Sequence, residues 1–205
     1  MLTDKQIQIL HVAERLFGEK GFDGTSIRNI AKEAGINIAM VSYYFGSKEK
    51  LLEALILYRT NDTRMQLDHL LNEPIEPAAK LDKLIELYIS RVNANRCIYQ
   101  IVHFELNNNK RDLDLKAFTE VKKRNVEMLG QIIRQGQDAG VFRKDVNLVL
   151  IPPTIIGIIF QFHTSRPLYE EMFNLRTDAA FNAYIENELT AHIKQTIKAL
   201  LTHEV

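Results

Sequence analysis

The sequence predicts an all-α protein, and three features of its pattern lead to that prediction. Apolar residues recur at intervals of three and four along nearly the whole chain of 205 residues, which is the period of a helix with one buried face. Sustained alternation of apolar and polar residues, the period of a strand, is not present in the sequence. Glycines or prolines stand where helical segments would begin or end. We expect a small amino-terminal group of helices and a larger helical region after it.

The first four helices are delimited by capping residues and glycines. The residues expected to cap them are Thr3, Thr25, Asn37 and Ser47. Thr3 and Gln6 also have the spacing of a capping box. The glycines that can end the first three helices are Gly21, Gly35 and Gly46. A small core made from Phe17, Ile30, Val41 and Phe45 is expected to hold helix 3 outward.

A break is predicted at residues 72 to 77, because two prolines there interrupt any helix. Further helices are expected at about residues 77–94, 96–106, 112–139, 146–164 and 178–201. The pair Pro152 and Pro153 must kink or restart the fourth of these. In the last helix, apolar residues follow one another at four-residue steps from Phe181 to Leu201. That stripe is wide enough to contact more than one neighbour.

Composition excludes several classes of protein. A chain with 46% hydrophobic and 25% charged residues has enough apolar surface for a core and is not disordered or collagen-like. The single cysteine, Cys97, excludes a disulfide framework and a multi-cysteine zinc site. No two histidines are three or four residues apart, so we expect neither a metal site nor a cofactor. The amino terminus lacks an apolar signal core, which favours a cytoplasmic protein.

Residues 146 to 165 carry no Asp, Glu, Lys or Arg, and a membrane helix needs about twenty residues. Prolines and polar residues, among them Pro152, Gln161 and His163, leave only short apolar runs in this stretch. We therefore favour a helix buried in a core or at a subunit interface, and no membrane partner is expected.

Three short helices, the last two separated by Gly35-Ile36-Asn37, have the sequence form of a helix-turn-helix. More specific runs occupy residues 17–22 (Phe-Gly-Glu-Lys-Gly-Phe), 25–36 (Thr-Ser-Ile-Arg-Asn-Ile-Ala-Lys-Glu-Ala-Gly-Ile) and 43–51 (Tyr-Tyr-Phe-Gly-Ser-Lys-Glu-Lys-Leu). In order and spacing they resemble the amino-terminal domain of the TetR family of bacterial transcriptional regulators. The resemblance implies a DNA-binding domain at residues 3–63, with the helix-turn-helix at about 26–45. It also implies a helical effector-binding and dimerisation domain at residues 64–205.

The same resemblance implies which residues meet DNA. They are Ser26, Arg28, Asn37, Ile38, Ala39, Met40, Ser42, Tyr43, Tyr44 and Lys48. Ser26, Tyr44 and Lys48 would meet phosphates, whereas residues 37 to 43 would face base edges. The family often has Lys or Gln, then Gly or Pro, then Thr, and then Tyr two residues further on, whereas this chain has Ile38, Ala39, Met40 and Ser42. Ile38, Ala39 and Met40 can instead pack on thymine methyl groups.

Each of these assignments has an alternative. Arg28 can instead form a surface ion pair with Glu33 or Asp23. Ser26 can be a helix cap alone, Lys48 a solvated helix end, and the two tyrosines partly buried aromatics.

Net charge gives little support for DNA binding by itself. The chain has 26 basic and 26 acidic residues, and residues 1 to 50 have a net charge of +1. Phosphate affinity must therefore come from placed contacts and helix amino termini, doubled in a dimer, and not from overall attraction.

The larger region offers candidates for an effector pocket, although each can be ordinary core. They are Tyr88, Arg91, Tyr99, His103, Phe104, Phe118, Phe160 and His163. By resemblance, the helices near 146–164 and 178–201 pair with their copies to form a homodimer. The predicted function is a repressor released from a palindromic DNA operator by a small-molecule effector. The alternatives are a transcriptional activator, or an all-α enzyme or small-molecule binding protein with an incidental helix-turn-helix.

Overall fold

The computed structural model describes residues 2–108 and 113–202, apart from the side chains of residues 62, 63 and 105–108. Its helices are α1 (Asp4–Lys20), α2 (Ile27–Glu33), α3 (Ile38–Phe45), α4 (Lys48–Asn72), α5 (Pro77–Ala94), α6 (Arg96–Asn108), α7 (Lys116–Asp138), α8 (Ile151–Thr164), α9 (Arg166–Met172), α10 (Asp178–Tyr184) and α11 (Thr190–Leu201). The described residues contain no strand, so the all-α prediction is confirmed.

The chain forms two compact units. The amino-terminal unit consists of Met1–Asp62 and Cys97–Lys122, and the carboxy-terminal unit of Thr63–Arg96 and Lys123–Val205. The first boundary lies beside the predicted one at residue 63. Residues 97–108 and 113–122 belong to the amino-terminal unit, whereas the predicted boundary places them in the larger domain.

The amino-terminal unit is built on an apolar core shared by α1 to α4. Of the residues predicted for this core, Phe17, Ile30 and Val41 are buried and Phe45 is partly buried against them. Ile9, Leu10, Leu52 and Leu55 are buried in the same core. Two residues of α6, Ile98 and Ile101, complete the core. A Cβ atom on Gly18 of α1 would lie only 2.6 Å from the Cys97 Sγ. The glycine therefore permits the close approach of α6 to α1.

Capping residues fix the start of each short helix, with one correction to the predicted set. The capping box at Thr3 and Gln6 is present. Helix α2 is capped by Ser26, whose Oγ accepts from the Asn29 N–H at 3.1 Å, and not by Thr25. The Thr25 side chain is 1% exposed, and its hydroxyl donates to the carbonyls of Leu16 and Gly21. The buried Thr25 hydroxyl thus stabilises the link between α1 and α2.

The carboxy-terminal unit packs α5, α8 and α11 against one another. Pro152 and Pro153 lie in the first turn of α8, where a missing N–H leaves no hydrogen bond unmade. The prolines therefore restart a helix after the short 3₁₀ turn at Leu148–Leu150. The apolar stripe of the last helix is buried from Phe181 to Leu201, as predicted.

Three details of this unit differ from the sequence prediction. The last helix is divided by a π-helical turn at Ile185–Leu189. Helix α9 was not predicted. Helix α7 begins at Lys116, and its predicted start at residue 112 lies outside the described residues. Within the described ranges no single helix is long and apolar enough to span a membrane. The bent pair Leu148–Thr164 and Arg166–Met172 reaches the necessary length and apolar composition only when its two helices are taken together.

Candidate nucleic-acid interface

Helix α3 has one face exposed, which carries both polar and apolar side chains, and the opposite face packed on the core. Val41 is 1% exposed and anchors the helix. Ile38 is 44% exposed and Tyr43 is 84% exposed, and Ala39 and Ser42 are exposed beside them. These four residues recur at helical spacing, so they share one face. Exposed apolar and aromatic side chains on such a short helix form a surface that can meet another molecule.

The turn between α2 and α3 sets the direction of α3. Gly35 has φ = +63°, in the left-handed region that a glycine adopts without strain. The N–H of Ile36 then donates to the Ala31 carbonyl at 3.0 Å, and the Asn37 Oδ1 accepts from the Ala39 N–H at 2.9 Å. With its Oδ1 used in the cap, Asn37 still has its two amide N–H donors for a base edge.

Ser26 and Tyr44, the residues predicted to contact phosphates, differ in exposure. Ser26 is exposed, and its hydroxyl donates to the Asn29 Oδ1 while its oxygen caps α2. Tyr44 is half-buried in edge contacts with Tyr43 and Phe45. Contact of either with DNA stays a prediction.

Arg28 is exposed on α2. The Glu33 carboxylate, one of its two alternative partners, accepts from Arg15 at 2.6 Å. The ion pair between Arg28 and Glu33 that the sequence allowed is therefore formed by Arg15 instead, and a role of Arg28 at DNA stays a prediction. Met40 is half-buried, so it offers less surface to a base than Ile38 does.

Lys48 is placed differently from a solvated helix end. Its Nζ donates to the carbonyl oxygens of Phe22 and Thr25, both at 2.9 Å, and lies 4.2 Å from the centre of the Phe22 ring. An ammonium has three donors, and two are used here. No local pattern in the sequence indicates these contacts, since 26 and 23 residues separate the partners.

A second long-range contact that the sequence did not indicate joins α1 to α4. The Arg59 Nε donates to the two carboxylate oxygens of Glu14 at 3.2 and 3.0 Å, and its terminal nitrogen also contacts that carboxylate. Glu14 is only 8% exposed. This buried ion pair, which we call the Glu14–Arg59 brace, holds α1 and α4 together.

The eight residues predicted to line an effector pocket are divided between the units. Tyr99, His103, Phe104 and Phe118 belong to the amino-terminal unit, and Tyr88, Arg91, Phe160 and His163 to the carboxy-terminal unit. Tyr88 and His163 are buried, whereas His103 and Phe104 are exposed. Contact of these residues with a ligand stays a prediction.

His163 is the most perturbed of them. Burial, together with the positive charges of Arg96 and Arg166, lowers the pKa of His163 to about 4. Its Nε2 is buried and has no hydrogen-bond partner among the described residues. His163 is therefore neutral at physiological pH and retains an unused hydrogen-bonding atom.

Cavities of ligand size occur in the carboxy-terminal unit. One of about 430 Å³ lies between α4 and α7 and is lined by Arg64, Met65, Asp68, Arg124, Glu127, Met128 and Gln131. None of the eight predicted pocket residues lines this α4–α7 cavity. Within the described ranges no cluster of three or more His, Cys, Asp or Glu side chains could hold a metal ion.

An aromatic groove of about 650 Å³ lies between α8, α9 and the last helices. Its rings are Phe162, Tyr169, Phe173 and Tyr184, which stack with centroids 4.4 to 6.0 Å apart. Gly157 also lines it, and a Cβ atom on Gly157 would meet no atom within 4 Å. The sequence signal for this surface is the uncharged stretch before Arg166.

Comparisons with known proteins match both parts of the chain. The family model "Bacterial regulatory proteins, tetR family" matches residues 9–55, and the model "Tetracyclin repressor-like, C-terminal domain" matches residues 77–197. The transcriptional regulator YttP of Bacillus subtilis is 51% identical over 56 residues, which is 27% of each chain. The repressor NicS of Pseudomonas putida is 28% identical over 169 residues, covering 77% of this chain and 75% of NicS.

Among solved structures, the regulator FadR of Bacillus subtilis in complex with stearoyl-CoA superimposes with a TM-score of 0.69. It is 20% identical, and the match covers 93% of this chain and 96% of FadR. That likeness shows the same fold. Because the two family models lie in the expected order and the second alone spans more than half of the sequence, the chain belongs to the TetR family of bacterial transcriptional regulators.

Proposed function

We propose that this protein is a DNA-binding repressor that a small-molecule effector releases from a palindromic operator. One observation carries the proposal: α3 exposes Ile38, Ala39, Ser42 and Tyr43 on one face while Val41 ties the helix to the core. A tyrosine that is 84% exposed buries little surface in the fold, whereas side chains of this kind fit a major groove. DNA binding places the protein with the chromosome, in the cytoplasm, and requires no catalytic group.

The functional domains that we propose are a DNA-binding domain at residues 3–63 and an effector-binding and dimerisation domain at residues 64–205. Base edges would be met from α3 and by Arg28, and phosphates by Ser26 and Tyr44. Thymine methyl groups are the expected neighbours of Ile38 and Ala39, because both side chains are apolar and exposed.

The homodimer is proposed to form through α8 and the last helices. Apolar surface is exposed on the turn before α8, where Val149 is 60% exposed and Leu150 is 56% exposed. The aromatic groove is lined by α8 and the last helices. Exposed apolar surface of this kind is typical of an interface. Two copies would place two α3 helices on half-sites about one helical turn apart.

Gly157 allows a clean test of that dimer. A Cβ atom at Gly157 would meet no atom within 4 Å, so we expect Gly157→Glu to keep the fold and to place a charge in the interface. Light scattering should give a mass of 23.7 kDa for Gly157→Glu and twice that for the unaltered chain and for Gly157→Ala. A dimeric Gly157→Glu protein would contradict this interface.

The effector is proposed to bind the carboxy-terminal unit and to favour a dimer whose two α3 helices no longer match the half-sites. Two places there support binding. His163 has a buried Nε2 with no hydrogen-bond partner among the described residues. The α4–α7 cavity combines guanidinium groups with methionine side chains and has a volume within the range of ligand pockets. Because the FadR structure holds stearoyl-CoA, acyl-CoA thioesters of graded chain length are the first ligands to test.

Selection of bound sequences from a random DNA pool, repeated with those ligands, tests the function. We expect a palindromic sequence to be enriched and its retention to fall when an effector is present. Arg124→Ala and His163→Phe then locate the effector site, since only the variant in the true site should lose the response. Absence of any enriched sequence would favour an enzyme or a small-molecule binding protein instead, and transcription measured with and without the gene separates a repressor from an activator.

A further inference from the structure

Lys48 occupies a position that normally disfavours a cation. It is the first residue of α4, where the helix dipole places positive potential. The cap of this helix is made by Ser47, whose Oγ accepts from the Lys50 N–H at 3.1 Å. The lysine therefore adds nothing to the helix start, and its presence there requires another favourable interaction.

That interaction is with the link between α1 and α2. The ammonium donates to the carbonyls of Phe22 and Thr25 and lies over the Phe22 ring. Hydrogen bonds from a charged donor are stronger than those between neutral groups, and an aromatic face adds cation–π attraction. Both acceptors and the ring are well positioned, since Phe22 is 7% exposed and Thr25 is 1% exposed.

The two carbonyls lie directly before helix α2. Phe22 also accepts from the Thr25 N–H at 3.2 Å, and Thr25 precedes Ser26, which caps α2. Everything between Thr25 and Lys48 is the helix-turn-helix itself, α2 followed by α3. The hydrogen bonds of Lys48 therefore join the two ends of this segment, and we call these contacts the Lys48 clip.

We infer that Lys48 is a positioning residue, which holds the start of α2 against the start of α4 and thereby fixes the direction in which α3 faces DNA. The inference rests on the proposed function for its effect on DNA, but the clip itself exists in the free protein. It differs from the role expected by resemblance, in which the ammonium of Lys48 neutralises a phosphate.

Hydrogen exchange of the free, full-length protein tests the clip without DNA. The amides to follow are those of Thr25 and Ile30, which donate to the carbonyls of Phe22 and Ser26 at 3.2 and 3.1 Å. Lys48→Met, which keeps the length of the side chain and removes its donors, should speed exchange at both amides by about tenfold or more. Lys48→Arg keeps donors and charge and should exchange nearly as slowly as the unaltered chain.

Lys50→Met is the matched control, because Lys50 lies on the same turn of α4, and its ammonium pairs with Glu53 at 2.8 Å. It removes the same charge from a side chain that pairs within α4, so we expect exchange at Thr25 and Ile30 to stay unchanged. Circular dichroism of Lys48→Met should remain helical, which separates a released clip from a chain that does not fold. Unchanged exchange in Lys48→Met would overturn the inference.

Operator binding as a function of salt gives the second readout. A positioning residue changes the affinity at every salt concentration by the same factor, so the plot of log affinity against log salt keeps its slope in Lys48→Met. A phosphate ligand would lower that slope by about 0.9 for each copy, or about 1.8 for a dimer. The lower slope would overturn the positioning role. Failure to bind any DNA would refute the proposed function, while the exchange result would still decide the clip.

Discussion

Replacing Arg59 with methionine is expected to destabilise the amino-terminal unit by about 3 kcal/mol, because it leaves the Glu14 carboxylate buried without its partner. The Glu14 side chain is 11% exposed and that of Arg59 is 24% exposed. Breaking a buried pair costs about 3 to 5 kcal/mol, and the partial exposure of Arg59 places this one at the lower end. For a chain of this length, that loss corresponds to a fall in melting temperature of about 6 to 12 °C.

The assay is thermal unfolding followed by circular dichroism, on four proteins that form a double-mutant cycle. Glu14→Met should cost less than Arg59→Met, since it leaves the more exposed partner unpaired. The double variant, with two apolar side chains in contact, should be more stable than Arg59→Met alone, with a coupling energy of about 2 kcal/mol.

Arg15→Met is the control for the brace, because Arg15 is the neighbouring residue on α1 and its ion pair with Glu33 has side chains that are 47% and 48% exposed. An exposed pair of this kind contributes little to stability. If Arg59→Met changed stability no more than Arg15→Met, the brace would not stabilise the unit and the reasoning from burial would be refuted.

Three further substitutions have sharp expectations. Tyr43→Ala should lower operator affinity while changing stability by less than about 0.5 kcal/mol. Tyr44→Ala should lower both affinity and stability, because Tyr44 is half-buried. Titration with operator DNA measures the affinity, and thermal melting measures the stability. Gly136→Ala should cost about 1 to 3 kcal/mol, since the new Cβ would lie 2.1 Å from the ring of Phe142, which is 2% exposed; stability equal to that of the parent would show that the ring can move. His163 titrates with a pKa of about 4 when folded, against 6.5 in an unfolded chain, so the unfolded state binds the proton first and stability falls as the pH drops from 6.5 to 4. Melting at pH 7 and pH 5 should show a loss of about 2 kcal/mol that His163→Phe lacks, and an equal loss in both proteins would contradict the burial of this imidazole.

Local signals in the sequence were sufficient for most helix boundaries. Thr3, Asn37 and Ser47 cap the helices that follow them, because a cap depends only on residues within one turn. Helix α2 is capped by Ser26 and not by the predicted Thr25, because the Thr25 hydroxyl is buried and donates to the carbonyls of Leu16 and Gly21. That arrangement depends on tertiary contacts.

Contacts between distant residues could not be predicted. The Lys48 clip and the Glu14–Arg59 brace join residues 23 to 45 positions apart, and no periodicity marks either end. The same limit applies to α6, whose Cys97 fits against Gly18 only when both helices are in place. Helix α9 has seven residues, as α2 has, but no side-chain cap marks its start, so neither a period nor a cap indicates it.

Binding of a selected operator against a shuffled duplex of the same composition tests the central claim most directly. With the unaltered, full-length protein at physiological salt, the operator should bind at least about a thousandfold more tightly than the shuffled duplex. Two protein chains should be present in the complex, on half-sites about one helical turn apart. Equal affinity for the two duplexes would contradict sequence-specific recognition by the exposed face of α3.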